Sequence, residues 1–551
     1  MSKKDLSRRG FVKGAGAAAV GGALVATPAL ADGAKTVSFS YVDTVQWDEE
    51  YDVVVVGYGG AGSVSAITAA ENGAKVLLTE KAPDGDQGGN TRYCEQYFNI
   101  PNTYEDGVAY FSAFAKGFDT ADEDVIDYMA KGAAGVGDWL LAHGATTFSS
   151  AIAGATDGIT LDMVSTVEGR DWYFELPDGT VGLSEFPVWP DGTPNDGRVC
   201  EFMMVDAPDN QEKKYWHLLM DNVESLADSI DVWLDSPARH LIQDPFSKTV
   251  LGVQVEHEGA LINVRAKNGV VLACGSYEGN QEMFENYAEK PQAYPIGSVY
   301  NTGDGITMGL EVGADLWHMA ALSGPWIVAK LGDQERCFST TYSKQRITTA
   351  GNCINVGGDA KRFMNDSGNC KHGHVEYGGT WISQVTPDVM WAIMDSTARN
   401  GEGDIMLVDD DHLFKADTIE ELAGLVDLDA ETLVETVEGW NKIVEDGVDP
   451  QFGRDPYTLA PIETAPFYAV RLYPACVNCQ GGPKRNTSCE VLDPSGNPIP
   501  NLYSAGELGS FWAGVYCCGG NIAETVYTGR TAGENAAKAK DDPAPVELTV
   551  A

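Results

Sequence analysis

Positive charge is scarce in this sequence. Its 551 residues include 37 Lys and Arg against 81 Asp and Glu, which gives a formal net charge of −44 at pH 7. A surface this acidic repels phosphate backbones and anionic lipid, so nucleic-acid binding and membrane-surface binding are disfavoured as functions. Long hydrophobic runs are also missing, since no stretch approaches the ~20 apolar residues that a bilayer-spanning helix needs. The sequence therefore predicts no membrane span.

The chain also lacks the usual signatures of haem and metal sites. Its 11 cysteines are odd in number and irregular in spacing, so they define no disulfide framework. The C-x-x-C at 476–479 is not followed by histidine, which excludes c-type haem attachment. With Cys489, Cys517 and Cys518 this pair could ligate an iron–sulfur cluster, and buried free thiols are the blander interpretation. No metal site is predicted.

The N-terminus carries an export pattern. Residues 7–13 read SRRGFVK, a twin-arginine motif, and a weakly apolar stretch leads to the A-x-A cleavage site at 29–31. The pattern predicts that residues 1–31 are a twin-arginine signal peptide. The protein is then exported in folded form, with its cofactor already bound, to the periplasm or the cell surface.

A glycine-rich fingerprint follows the first strongly apolar run. The sequence VVVVGYGGAG at 53–62 leads into a predicted helix and a second apolar strand that ends before Glu80. This spacing is typical of a dinucleotide-binding β-α-β unit, in which Gly57, Gly59 and Gly62 admit the pyrophosphate and Glu80 accepts bonds from ribose hydroxyls. The motif taken alone fits NAD as well as FAD.

A second glycine-rich region lies near the other end of the chain. It comprises NLYSAGELGS at 501–510 and CCGGNIAE at 517–524. Gly520 and Asn521 open a predicted helix, whose positive end would stabilise negative charge on a reduced flavin. A pair of fingerprints that brackets the chain is typical of FAD-binding domains, so FAD is the predicted cofactor.

Further motifs carry a family resemblance over roughly residues 50–540. They are GGNT at 88–91, NGVVLACGSYEGN at 268–280, NTGDGITMGLEVGAD at 301–315, INVGGDAKRFMND at 354–366 and APFYAV at 465–470. Together with the two fingerprints they resemble the flavoprotein subunits of fumarate reductases and succinate dehydrogenases, particularly the flavocytochrome c and 3-ketosteroid dehydrogenase-like branches. The resemblance implies an α/β fold with a Rossmann-like FAD-binding domain at 48–318 and 478–545. It also implies an inserted α+β capping domain at 319–477.

The resemblance also implies which side chains and backbone groups hold the cofactor. These are Gly57, Gly59, Gly62, Glu80, Gly89, Asn90, Thr91, Ala238, Asp304, Glu507, Gly520 and Asn521. Glu507 is expected to face the ribityl chain and Ala238 to lie near the adenine.

Three residues are predicted to be catalytic. By resemblance, Arg399 in the segment DSTAR delivers a proton, and Asp366, at the end of RFMND, takes the place of a glutamate in the proton relay. Tyr516 resembles a tyrosine that polarises a carbonyl in the steroid-oxidising branch. Two of them have a structural alternative, namely a surface arginine for Arg399 and a packed tyrosine for Tyr516.

Departures from the family pattern bear on the substrate. Where fumarate reductases clamp a dicarboxylate with two histidines and an arginine, this chain has 323–325 (SGP), Asn478 and 516–517 (YC). Each lost charge-assisted hydrogen bond is worth roughly 1.5–3 kcal/mol, so fumarate is not the expected substrate. The aromatic residues expected near the site, Trp326, Trp381, Phe511, Trp512 and Tyr516, suit a flat or hydrophobic molecule.

Three functions follow from these observations. The first is an exported FAD-dependent reductase of an activated C=C bond in an enone or aryl-acrylate, with hydride from the flavin and a proton from Arg399 or Tyr516. Its electrons come from an external cytochrome, FMN protein or quinol-linked donor. The second is a 3-ketosteroid-type dehydrogenase that introduces such a bond. The third is a non-catalytic flavin or iron–sulfur electron-transfer protein.

Overall fold

The structure is a computed structural model. It describes residues 35–94, 96, 98–101, 103–115, 119–150, 173–175, 181–183, 200–206, 214–289, 294–329, 352–366, 372–378, 380–400, 413–454, 456–514, 516 and 519–550. The predicted signal peptide and the cysteines Cys517 and Cys518 lie outside these residues.

The described strands are mostly short. In chain order they are β1 Lys35–Phe39, β2 Glu49–Val56, β3 Val76–Thr79, β4 Phe98–Pro101, β5 Thr147–Ser150, β6 Tyr173–Glu175, β7 Val181–Leu183, β8 Cys200–Asp206, β9 Ile230–Trp233, β10 Ala238–Gln243, β11 Val250–His257, β12 Ala260–Leu272, β13 Tyr294–Pro295, β14 Leu316–Trp317, β15 Leu322–Ser323, β16 Trp326–Ala329, β17 Cys353–Gly357, β18 His374–Tyr377, β19 Thr380–Ser383, β20 Met390–Met394, β21 Leu413–Ala416, β22 Phe467–Cys476, β23 Asn478–Cys479, β24 Gly482–Pro483, β25 Glu490–Leu492, β26 Pro498–Ser504 and β27 Val546–Val550.

The described α-helices are α1 Gly60–Glu71, α2 Gly89–Tyr93, α3 Tyr104–Ala115, α4 Glu123–Ala134, α5 Val136–Ala142, α6 Lys214–Ser225, α7 Gln281–Tyr287, α8 Asp304–Glu311, α9 Ser396–Asn400, α10 Ile419–Leu425, α11 Ala430–Asp446 and α12 Gly520–Ala537. Short 3-10 turns cover Val42–Thr44, Asp119–Ala121 and Pro456–Thr458.

The first of two large sheets has eight strands. Strands β26, β12, β2, β3 and β9 are parallel neighbours in that order, and β10, β11 and β25 extend the sheet through antiparallel pairs. Val53 and Val55 of β2 enter one hydrophobic cluster, while Val54 and Val56 enter another. Both faces are therefore covered, which explains why β2 is a continuous apolar run and not an alternating one.

Helices α1 and α12 lie against each other although they come from opposite ends of the chain. A Cβ added to Gly529 would lie 2.8 Å from Val64 Cβ, and one added to Gly533 would lie 2.5 Å from the Ser65 carbonyl oxygen. These glycines let the two backbones approach more closely than larger side chains would allow.

A second, mixed sheet of six strands is organised around β22. Strands β16, β20 and β21 pair with β22 in antiparallel fashion, β13 pairs with it in parallel, and β17 extends the sheet beyond β20. Helices α10 and α11 supply Leu422, Leu433 and Trp440 to the hydrophobic cluster on this sheet. The predicted α/β class with a Rossmann-like parallel sheet is confirmed, whereas the boundaries 48–318, 319–477 and 478–545 stay predictions.

Strands β1 and β27 pair antiparallel and belong to a separate small unit formed by residues of the two chain ends. The 3-10 turn Val42–Thr44 belongs to the same small unit, and the other elements belong to the unit Val45–Asp542. In the portion of the chain that is described, no helix combines the length and the apolar character needed to cross a bilayer.

Gly62 is a position where we predict that any side chain is destabilising. An added Cβ would lie 1.8 Å from the Gly57 carbonyl oxygen, which is backbone and cannot move aside. We expect Gly62→Ala to lower the free energy of unfolding by about 1–3 kcal/mol or more, measured by denaturant unfolding.

The matched control is Gly439→Ala in α11. Gly439 is exposed, and an added Cβ there meets no atom within 4 Å. This variant should gain up to ~1 kcal/mol from helix propensity. A Gly62→Ala protein as stable as the control would contradict the packing described here.

Candidate active site

The first glycine turn lies at the carboxyl end of the parallel sheet. Gly57 follows β2 with a φ of 104°, a conformation that favours glycine, and Gly59 is the N-cap of α1. The Gly60 amide donates a hydrogen bond to Thr91 Oγ1 at 3.1 Å. The amino end of α1, with its partial positive charge, therefore faces a cavity suited to a phosphate.

Glu80 follows β3 and is held by backbone amides. Its Oε2 accepts from the Tyr58 amide and its Oε1 from the Ala82 amide, each at 2.7 Å. Burial raises the pKa of Glu80, and the two amide donors oppose that shift. Because each carboxylate oxygen accepts more than one bond, the group can also accept from ribose hydroxyls.

One cavity joins these groups, with about 1040 Å³ of space including its solvent-open part. All predicted cofactor residues except Gly62 and Gly520 line it, namely Gly57, Gly59, Glu80, Gly89, Asn90, Thr91, Ala238, Asp304, Glu507 and Asn521. Gly62 instead packs against Gly57, and a Cβ on Gly520 would lie 2.4 Å from the Trp512 ring. Both glycines shape the helix ends and do not form the wall.

The amino end of α12 reaches the same cavity. Gly519 is its N-cap with a φ of 76°, and Asn521 in the first turn lines the wall. The Asn521 Oδ1 accepts from Asn478 Nδ2 at 2.9 Å, and its Nδ2 donates to Gln480 Oε1 at 2.8 Å. These bonds fix the amide at the second helix terminus.

Several residues that sequence reasoning missed complete the wall. Lys81 lies between Thr302 Oγ1 and Asp304 Oδ2, at 2.6 and 2.7 Å. Asn90 Nδ2 donates both to Glu507 and to Glu278, a buried carboxyl just behind the wall. Glu278 lies in the quoted segment at 268–280, and Lys81 follows Glu80. The signal that could have identified both residues was their place in the sequence, within a motif of the family resemblance or next to Glu80.

The cavity fits FAD. Two helix amino ends face it, and the Glu80 carboxylate offers hydrogen-bond acceptors at one end. The Asn478 Oδ1 is buried with no hydrogen-bond partner among the described residues. A buried amide oxygen without a partner costs about 1–3 kcal/mol, which a ligand N–H would relieve. A cavity of this size and polarity suits a dinucleotide, with its pyrophosphate at α1 and its ribose at Glu80.

The three predicted catalytic residues are not all in one place. Tyr516 lines the cavity, with edge-on ring contacts to Trp512 at 5.9 Å and His372 at 5.1 Å. Arg399 belongs to α9, and its side chain lies outside what the structure describes. The buried Asp395 anchors α9 by accepting from the Thr397 and Ala398 amides at 3.0 and 3.2 Å. No finding tests the assigned catalytic roles, which stay predictions.

Asp366 lies away from the cavity wall, in a buried cluster of charges. Its Oδ2 is 3.3 Å from Arg362 Nη2 and 3.4 Å from Arg454 Nη1, while Arg362 also pairs with Asp449 at 2.8 Å. Both guanidinium groups lie over the Trp440 ring, at 4.8 and 4.7 Å. The predicted relay carboxylate is therefore part of the core of the second sheet.

The aromatic residues expected in the substrate pocket divide in two. Of the five, Tyr516 lines the described cavity. Phe511 and Trp512 are buried in the hydrophobic cluster of the FAD half, where Trp512 makes edge-on contacts with Phe111 and Phe114. Trp326 packs edge-on against His372. Trp381 packs against the same hydrophobic cluster as Trp512. Which of the five aromatic residues contact the substrate stays a prediction.

The cysteines form no described metal centre. Cys476 and Cys479 Sγ lie 3.9 Å apart, while Cys489 contacts Tyr128 and the Thr528 carbonyl elsewhere. Within the described ranges no group of three or more His, Cys, Asp or Glu side chains is arranged to hold a metal ion.

The buried charge cluster generates a stability prediction. Asp366→Asn removes the charge that pairs with Arg454, and breaking one side of a buried pair costs about 3–5 kcal/mol. We expect a loss of this size in the free energy of unfolding, measured by denaturant titration. Asp388→Asn, an exposed position before β20, should stay within about 0.5 kcal/mol of wild type. Equal stability of the two variants would show that the cluster is not a structural element.

Comparison with known proteins agrees with this geometry. The FAD binding domain family matches residues 52–522. A digoxin reductase of Eggerthella lenta is 28% identical, with 97% of each chain covered. The acrylate reductase flavoprotein subunit of Shewanella woodyi is also 28% identical, with 97% of this chain and 99% of that one covered.

Among solved structures, the 3-ketosteroid delta1-dehydrogenase of Sterolibacterium denitrificans matches with a TM-score of 0.66 at 21% identity, covering 89% of this chain and 99% of its own. At that identity the match shows the fold. The predicted cofactor, FAD, is confirmed by the family match. The chain belongs to the FAD binding domain family, among the fumarate reductase and succinate dehydrogenase type of flavoproteins, and is an FAD-dependent oxidoreductase acting on CH–CH groups.

Proposed function

We propose that this protein is an exported FAD-dependent reductase of an activated C=C bond in an enone or aryl-acrylate. The observation that carries the proposal is the wall of the flavin cavity around Tyr516. It offers a phenol and amide groups, and among the described lining residues Lys81 is the one basic side chain. Lys81 is already paired with Asp304 at 2.7 Å.

This wall disfavours a dicarboxylate. Recognition of two carboxylates requires cationic donors, each worth roughly 1.5–3 kcal/mol as a charge-assisted bond. The positions where the resemblance would place such donors hold Ser323, Asn478 and Tyr516. Ser323 Oγ is bonded to His372 Nδ1 at 2.9 Å, and Asn478 is bonded to Glu507 and Asn521. A neutral or singly charged substrate fits this set of groups.

Reduction of a C=C bond needs one hydride and one proton. Bound FAD, once reduced by two electrons from the external donor, would supply the hydride. Tyr516 or Arg399 supplies the proton to the other carbon. Tyr516 carries an O–H at the cavity wall, and α9 carries Arg399 on a turn that Asp395 holds rigidly.

The relatives support a reductase. The digoxin reductase and the acrylate reductase flavoprotein subunit are both named for reduction, and both align over nearly their full length. The twin-arginine pattern supports export, and electrons then arrive from a cytochrome, an FMN protein or a quinol-linked donor.

The direction of the reaction is tested by two anaerobic assays on the FAD-loaded protein. We expect reduced viologen to be consumed in the presence of an aryl-acrylate or an α,β-unsaturated ketone, and much more slowly with fumarate. The reverse assay offers saturated 3-ketosteroids with an oxidised dye. Dye reduction with no viologen consumption would replace the reductase by the dehydrogenase, and no turnover in either assay would favour the electron-transfer alternative.

The proton donor is identified by two variants assayed with a verified substrate. A general acid contributes typically 10²–10⁴-fold to the rate, so either Tyr516→Phe or Arg399→Ala should lower kcat by at least about 100-fold while flavin content is retained. Tyr377→Phe, at an exposed tyrosine of β18, controls for the substitution itself. Wild-type kcat in both test variants would eliminate both residues as the donor.

A further inference from the structure

Two carboxyl groups beside the flavin cavity share the same hydrogen-bond donors. Asn90 Nδ2 donates to Glu278 Oε1 at 2.7 Å and to Glu507 Oε1 at 2.8 Å. Asn301 Nδ2 donates to the same two oxygens, at 2.6 and 3.3 Å. Two oxygens that are both bridged by two nitrogen atoms must lie close together, so Glu278 and Glu507 face each other.

The remaining oxygens are held as well. Glu278 Oε2 accepts from the Cys479 amide at 3.3 Å, and Glu507 Oε2 accepts from Asn478 Nδ2 at 3.0 Å. Every donor in these bonds is a neutral amide. Glu278 is 2% exposed, and Glu507 lines the cavity that FAD would cover. Neutral donors orient the carboxyls but do not cancel two negative charges.

Among the residues that the structure describes, the titratable groups that act on the pair add no positive charge. They are the Tyr277 phenol, the thiols of Cys476 and Cys479, and the Glu524 carboxyl. Arg485 is the cation near Glu524, and it is bonded to that residue at 2.5 Å. Like charges this close and this buried cannot both ionise at low cost, so one of the two carboxyls retains a proton.

The pair communicates with the cavity through its own donors. Asn90, Asn301 and Asn478 all line the cavity, and Asn478 also binds Asn521 at the amino end of α12. Negative charge added to a flavin in this cavity is therefore felt by Glu507 directly and by Glu278 through the shared amides.

We propose that Glu278 and Glu507 are a proton-binding pair that holds one proton when the flavin is oxidised and takes up a second when it is reduced. The two electrons come from an external donor, and the proton comes from water. The only bond that forms in the protein is an O–H on a carboxylate oxygen, and it breaks again when the flavin is reoxidised. The proposal rests on FAD binding and is independent of the substrate and direction proposed above.

The direction in which the pKa of each carboxyl is shifted agrees with the geometry. Burial raises the pKa of Glu507 well above its usual value, with the charge of Glu278 as the next cause, and burial likewise raises that of Glu278. The shared amide donors oppose both shifts. Both shifts of pKa are in the direction that favours the protonated carboxyl.

The test is the midpoint potential of the bound flavin as a function of pH, in wild type and in the double variant Glu278→Gln/Glu507→Gln. Glutamine keeps the size of the side chain and stands in for a protonated carboxyl, so a single substitution would leave one carboxylate able to take up the proton. The double variant has no such carboxylate and should take up about one proton fewer per two electrons. For a two-electron couple a tenfold change in equilibrium constant is 29.6 mV, so the wild-type slope should be steeper by up to about 30 mV per pH unit. Glu285→Gln, an exposed glutamate of α7, makes the same chemical change and should match wild type.

A second measurement needs no variant and covers the case in which the double variant loses its flavin. The reduced-minus-oxidised infrared difference spectrum of the wild-type protein should contain a carboxylic acid C=O band that shifts in D2O. Equal slopes in wild type and the double variant, or no such band, would overturn the proposal. Neither experiment uses a substrate, so failure of the proposed reductase function leaves the result interpretable.

Discussion

The close contact between α1 and α12 is the constraint on which the rest of the structure depends. Both helices must point their amino ends at one cavity although they come from opposite ends of the chain. Gly529 and Gly533 remove the side chains that would hold the two backbones apart, and Gly57 and Gly62 make the turn before α1 equally tight. The segments that lie between the two helices in the sequence are therefore arranged around this contact.

The contact between α1 and α12 determines the distribution of charge around the cavity. Two helix amino ends bring partial positive charge to a site whose ligand carries phosphates and gains negative charge on reduction. Glu80 and Glu507 line the same cavity and Glu278 lies just behind its wall; each is held by amide donors, and none is paired with a cation in the contacts described for it. The helix ends favour the charged ligand, whereas the carboxyls limit how much negative charge accumulates unless protons accompany it.

The sequence predicted the parts of this site that are local. Gly57, Gly59 and Glu80 fall within one β-α-β unit, whose period and turn chemistry can be read from consecutive residues. Glu507 and Asn521 were found because a second fingerprint marked them. Glu278 and Asn301 were missed as site residues, because their role depends on contacts with Asn90 and Glu507 that only the fold creates. Trp512 was expected near the substrate; the fold packs it against Phe111 and Phe114, which its sequence neighbours could not show, and also against Tyr516 of the cavity wall.

The position of Asp366 suggests how the second sheet serves the reaction. Asp366 accepts from the Asn355 amide of β17, and Arg454 donates to the Cys353 carbonyl at the start of the same strand. Strand β17 pairs with β20, which runs into Asp395 and α9, and Asn352 binds Thr397 within that helix. The charge cluster thus holds β17 in place, and α9, which carries Arg399, is positioned by its contacts with that part of the sheet. As one of the two proposed proton donors, Arg399 would depend on such a platform more than on a nearby carboxylate, because the charge state of an arginine is fixed while its position is not.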